Sequence, residues 1–157
     1  LTYVVCYREL TVAVRGDVCD FGCFSLCSAD LARYLGDCRR VVLFAATVGV
    51  TPDRLIAKYS RVSPSKALMM QAIGAERIEA LCDAFCTEWD GALPSRFSPG
   101  YGDLPLSAQR EVVRVLDTAR CIGVCLNESL LMSPTKSVTA IVGLGCADET
   151  CGEEGAL

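Results

Sequence analysis

Within six residues, Arg96-Phe97-Ser98-Pro99-Gly100-Tyr101 sets a fixed positive charge, a glycine and an aromatic ring. The chemistry this allows is capture of a small anionic ligand. Arg96 can grip a carboxylate with a planar fork of donors. Pro99 stiffens the turn, and Gly100 lets a ligand approach the backbone without a side chain in the way. The same six residues also describe an ordinary Pro-Gly turn with a surface arginine. Histidine is absent from the chain, which removes Ser-His-Asp and Cys-His catalysis and every His-ligated metal site. The chain offers no credible nucleophile–base pair, so no catalytic residue and no metal ligand is assigned.

The other reactive side chains are eleven cysteines. Cys19, Cys23 and Cys27 recur every fourth residue. In an extended segment, successive members lie ~13 Å apart at ~3.3 Å per residue, too far to share one metal. Cys82 and Cys86 fall in a helical pattern with Ile78, Leu81, Phe85 and Trp89, where free cysteine acts as a small buried hydrophobe. Cys121, Cys125, Cys146 and Cys151 contain no CxxC pair, the strong zinc signal. A thiolate metal site built from these four stands as the alternative.

Composition bounds the rest. A length of 157 residues with 52% hydrophobic and 22% charged side chains is that of a compact globule. A net charge of −4 leaves no basic excess to neutralise phosphates, so nucleic acid is not an expected partner. The longest nearly apolar run, residues 41–50, is too short to cross a bilayer. The first residues lack the basic start and cleavage site of a signal peptide. A cytoplasmic protein with no membrane partner is expected.

These side chains need elements to hold them. Residues 3–6, 10–14 and 21–26 read as short strands, divided by Arg15-Gly16-Asp17 and similar turn residues. Ser28 reads as the N-cap of a helix ending at Gly36-Asp37. Residues 41–48 form a continuous apolar run expected of a central strand buried on both faces. Thr51-Pro52-Asp53 opens a helix carrying Leu55, Ile56 and Tyr59 to the core. Ser63-Pro64 opens the longest helix, to about residue 89, with Leu68, Ala72, Ala75, Ile78, Leu81, Cys82, Phe85 and Trp89 as its apolar stripe. Gly74 inside it implies close packing against another backbone. Ser107 is expected to cap a helix through Asp117 with Val112, Val115, Leu116 and Ala119 inward. Residues 122–132 and 137–144 read as strands joined by a hairpin-like return at Ser133-Pro134-Thr135-Lys136. Asp103 and Lys136 read as solvated loop charges. The expected fold class is α+β, an antiparallel or mixed sheet with packed helices. Residues 1–145 are expected to form a single domain, followed by an acidic tail, 146–157, expected to fray.

The Arg96-to-Tyr101 motif, a helix, Asn127-Glu128-Ser129, then Met132-x-Pro134-x-x-Ser137-Val138 resembles, in order and spacing, the activation (reactivation) domain of vitamin B12-dependent methionine synthase. Phe44-Ala45-Ala46-Thr47-Val48-Gly49 and the helix around residues 72–86 resemble it more weakly. The match runs over about residues 40–145 and is similar to a short, stand-alone form. The resemblance implies a C-shaped α+β domain that binds S-adenosylmethionine and supports re-methylation of a corrinoid on a partner protein, with a flavodoxin-type electron donor. By the same resemblance Arg96 would grip the ligand carboxylate, backbone groups at Ser98 and Gly100 would meet its polar edges, and Tyr101 would pack beside it. Glu128 would meet the ligand ammonium or a partner surface, or else only anchor the hairpin. Cobalamin would sit on the partner, a methionine synthase or another corrinoid protein. The alternative is a non-catalytic interaction or cysteine-metal-binding protein on the same fold.

Overall fold

The structure is a computed structural model that describes residues 1–145. The acidic tail, with Cys146 and Cys151, lies outside the described residues. Strand β5 (Arg40–Thr47) lies between β1 (Val4–Thr11) and β8 (Ser137–Leu144) and is antiparallel to both. Because side chains alternate along a strand, β5 feeds two cores. Val41, Leu43 and Ala45, with Ile141 of β8, pack with Leu31, Leu35, Leu104, Val112 and Leu116. Val42, Phe44 and Ala46 share the other face with Val142, Ile78 and Cys82. Burial on both faces accounts for the uninterrupted apolar run. Two smaller antiparallel sheets complete the strands: β2 (Ala13–Arg15), β3 (Val18–Asp20) and β4 (Ser25–Cys27) in one, β6 (Cys125–Leu126) and β7 (Met132–Ser133) in the other.

Several local expectations are corrected. The expected strand at residues 3–6 begins at Val4 and continues through Tyr7, Arg8 and Glu9 to Thr11. Those three residues read as a break because they are exposed and two of them are charged. Residues 21–24 are a turn closed by Phe21 N–H donating to Phe24 O at 2.9 Å, with the two rings stacked 4.8 Å apart. They are apolar because they cover the core, not because they are extended. Residues 122–132 are not one strand. Asn127 Oδ1 accepts from the N–H groups of Ser129 (2.8 Å) and Leu131 (3.0 Å), an Asx turn that reverses the chain between β6 and β7. The 133–136 return joins strands of different sheets and is therefore no hairpin.

Helix α1 (Ala29–Leu35) is capped as expected, Ser28 Oγ accepting from Leu31 N at 3.0 Å. Asp103 is an exposed loop charge, as expected, but its carboxylate is also held in place. Its carboxylate accepts from the Ser28 hydroxyl, from Ala29 N at 3.0 Å and from Asp30 N at 3.1 Å, while Asp103 N donates to Asp30 Oδ2 at 2.9 Å. Gly102 adjoins this knot: a Cβ there would meet Asp30 Oδ2 at 2.2 Å. The Ser28 hydrogen bond, aided by the two backbone donors, holds the Asp103 carboxyl below the ordinary aspartate range. A depressed folded-state pKa contributes stability above the unfolded value and loses it as pH falls through the folded one. Asp103→Asn is therefore expected to lower Tm near neutral pH and to flatten its fall on the acid side. A pH series of thermal melts measures both, and an unchanged acid slope would contradict this role.

Helix α2 (Thr51–Val62) begins at Thr51 itself, with Pro52 and Asp53 in its first turn and Val50 at the cap. Helix α3 (Pro64–Thr87) departs from the expected stripe in its first half. Leu68, Ala72 and Ala75 are exposed, and Ala67 and Gly74 are buried instead. A Cβ on Gly74 would lie 3.0 Å from Lys136 Cγ, so the glycine accommodates the Lys136 stem rather than another backbone. Lys136 Nζ donates to Gln71 Oε1 at 2.7 Å in an exposed hydrogen bond. Helix α4 (Gln109–Leu116) follows a 3-10 turn, Leu106–Ala108, instead of starting from a Ser107 cap. Asp117, at φ 51°, breaks it from α5 (Thr118–Ile122). The break rotates the inward face, burying Thr118 and exposing Ala119.

Candidate functional site

Residues 92–97 leave α3 and run along the free edge of β8. Leu93 N donates to Gly143 O at 2.9 Å, Phe97 N to Ile141 O at 2.9 Å, and Ile141 N back to Phe97 O at 2.7 Å. Neighbours in such an extended segment point opposite ways. Phe97 turns to one core, its ring 5.5 Å from that of Tyr34, and Arg96 turns to α3. There the guanidinium donates to Asp83 Oδ1 at 2.7 Å and to Glu79 Oε2. Glu79 and Asp83 are one helical turn apart, so both meet the same fork.

The Arg96 side chain is only 15% exposed, whereas those of Glu79 and Asp83 are 59% and 71% exposed. Burial works against the charged guanidinium. The hydrogen bond to Asp83 and the surrounding negative groups outweigh it and hold the Arg96 pKa above its ordinary value. The group stays cationic at any working pH. Arg96 lines a cleft of about 440 Å³ with Asp83, Cys86, Trp89, Leu93 and Pro94. Burial pushes the Cys86 thiol up, Arg96 drawing it partly back, and pushes Cys82 up to about 12. Both are neutral thiols near neutrality, unsuited to nucleophilic attack.

The remaining motif residues form the adjoining turn. Tyr101 N donates to Ser98 O at 3.0 Å, Gly100 N to Leu104 O at 2.9 Å, and Leu104 N to Tyr101 O at 3.0 Å. The Ser98 carbonyl and the Gly100 N–H are thus engaged within the turn. Ser98 is buried and its hydroxyl has no hydrogen-bond partner among the described residues. Gly100 takes φ 93°, which only glycine adopts without strain. Tyr101 is half exposed and meets Phe97 edge-on at 5.9 Å. Glu128, in the β6–β7 turn, lines a separate cleft with Arg110 and Val113. Cys121 and Cys125 are exposed and free, Cys146 and Cys151 lie outside the described residues, and no three potential ligands are grouped for a metal among the described residues.

Sequence reasoning missed Glu79 and Asp83 as partners of Arg96. It also missed Tyr34, whose hydroxyl donates to Ser95 O and accepts from Gly143 N at 3.4 Å, tying the site segment to α1 and β8. Burial pushes the Tyr34 pKa up to about 12, so it remains a donor. Tyr34→Phe is expected to cost ~1 kcal/mol, the net worth of one hydrogen bond, and to loosen residues 93–97 in amide exchange. A variant with wild-type stability and exchange would mean that the hydroxyl positions nothing.

The class these elements define is an α+β domain with an arginine-bearing segment laid on the edge of a three-stranded antiparallel sheet. Among solved structures, the crystal structure of the MetH reactivation domain bound to AdoHcy shares this fold, with a TM-score of 0.70 and 14% sequence identity over 95% of this chain. The present chain spans 65% of the length of that domain. No family model matches the sequence, and no characterised protein matches it in sequence. No helix among the described residues is long and apolar enough to cross a membrane.

Proposed function

We propose that this chain is an S-adenosylmethionine-binding accessory module that supports reductive reactivation, by re-methylation, of a corrinoid on a partner protein. One observation carries this reading: Arg96 lies between Glu79 and Asp83 at the wall of an open cleft. A fixed cation beside two exposed carboxylates matches the two charges of an amino-acid head group. The ligand carboxylate takes a face of the guanidinium fork, and its ammonium takes the carboxylate it displaces. Trp89 gives the same cleft an aromatic wall, beside which a sulfonium cation is favourably placed. Ser98, Gly100 and Tyr101 shape the adjoining turn, and Glu128 is a contact for the partner surface.

The shared fold supports the reading, since the neighbouring domain was crystallised with AdoHcy. The partner, a cobalamin-binding methionine synthase or another corrinoid protein, supplies the methyl-accepting cobalt once a flavodoxin-type donor has returned it from the inactive Co(II) state. This chain would hold and orient the methyl donor in the cytoplasm and would not act alone as a catalyst.

Calorimetric titration of S-adenosylmethionine into the purified chain tests the proposal. Saturable binding, with competition from S-adenosylhomocysteine, is expected. A folded chain that takes up neither compound would refute it.

A further inference from the structure

Charge is unevenly distributed along this chain. Of its fifteen Lys and Arg side chains, four (Arg54, Lys58, Arg61 and Lys66) lie in residues 54–75, which contain no Asp or Glu. The other eleven share the rest of the sequence with all nineteen carboxylates. Among the described residues none of the four forms an ion pair, whereas most of the other arginines do. Arg54, Lys58 and Arg61 recur at i, i+4 and i+7, which sets them along one side of α2. Lys58 of α2 and Lys66 of α3 lie over the ring of Tyr59, at 5.3 and 5.4 Å from its centre. The cationic row therefore crosses from one helix to the other.

Apolar side chains stand open beside this row. Val62, in the last turn of α2, is 78% exposed, Met69 58% and Ile73 46%. Lys66, Met69 and Ile73 follow one another at i, i+3 and i+7 along α3, the spacing at which one helix anchors on another. Residues spaced for burial stand exposed, beside cations that form no ion pair among the described residues.

We infer that the α2–α3 arm is a docking surface for an acidic amphipathic helix of a partner protein. The apolar face of such a helix covers Val62, Met69 and Ile73, and its carboxylates meet Lys58, Arg61 and Lys66. Charge complementarity selects this occupant, because the arm is positive on a chain whose remaining sequence is net negative. That net negative remainder disfavours extended nucleic acid. The inference stands apart from the ligand reading, since its residues do not line the Arg96 cleft.

Fluorescence anisotropy provides the test. The probe is a dye-labelled synthetic helical peptide with Glu along one face and Leu along the other. A Lys-for-Glu copy, phosphatidylserine-containing vesicles and a short DNA duplex are measured beside it. The Glu peptide is expected to bind, more weakly as salt rises, and the Lys copy is not. Lys58→Glu with Arg61→Glu should weaken binding at least ten-fold, as should Met69→Ser with Ile73→Ser. Both variants should keep the wild-type melt and the wild-type S-adenosylmethionine titration. The inference is overturned if the folded chain ignores the Glu peptide, binds both peptides alike, is indifferent to charge reversal, or binds vesicles or DNA in its place.

Discussion

Phe44→Ala should lower the stability of the chain by about 3–5 kcal/mol, the usual cost of removing a fully buried phenyl ring. Phe44 is the largest side chain with no exposed surface, at the middle of the central strand, paired across to Tyr7 and Ala140. Its ring lies 4.7 Å from Phe85, which in turn meets Tyr7 at 5.6 Å and Trp89 at 6.1 Å. Emptying this position leaves a cavity where the sheet meets α3. Domains of this size are stable by ~5–15 kcal/mol, so the variant would be at or near the limit of folding. Phe44→Leu, which keeps most of the volume, should cost clearly less. Urea titrations of both variants would decide, and a loss below about 2 kcal/mol for alanine would mean that the ring contributes little to this junction.

Arg96→Lys should weaken S-adenosylmethionine binding at least ten-fold, a change of ~1.4 kcal/mol. Lysine keeps the charge and most of the stem but loses the fork that can hold a ligand carboxylate while keeping a contact with Asp83 or Glu79. Arg96→Ala should weaken binding at least as much. Neither change should unfold the protein, because both carboxylates are mostly exposed and water replaces the lost partner. Calorimetric titration beside a thermal melt separates the two effects. If the lysine variant binds like the wild type, charge alone suffices and the fork has no role.

Much of the frame was readable in the residues. The apolar run of β5, the Ser28 cap and the Pro52 helix start each follow from short-range chemistry. The first half of α3 was misread because its apolar spacing is real, yet nothing among the described residues covers it. The segment before β7 was misread because Asn127 turns the chain with its side chain, against an apolar pattern that suggested extension. The Arg96 loop was visible as a motif. Its carboxylate partners were not, since Glu79 and Asp83 lie 17 and 13 positions upstream on a helix face that reads as solvated. Only the course of the chain along β8 brings the two together.

That course has a consequence for how freely this site can change. Residues 92–97 are moored to β8 by main-chain bonds, Leu93 to Gly143 and Phe97 to Ile141 in both directions, and such bonds are indifferent to side-chain identity. Substitutions at Pro94, Ser95 and Arg96 can therefore alter what the cleft recognises while its address on the sheet stays the same. A lineage of such domains could exchange ligands without rebuilding its scaffold.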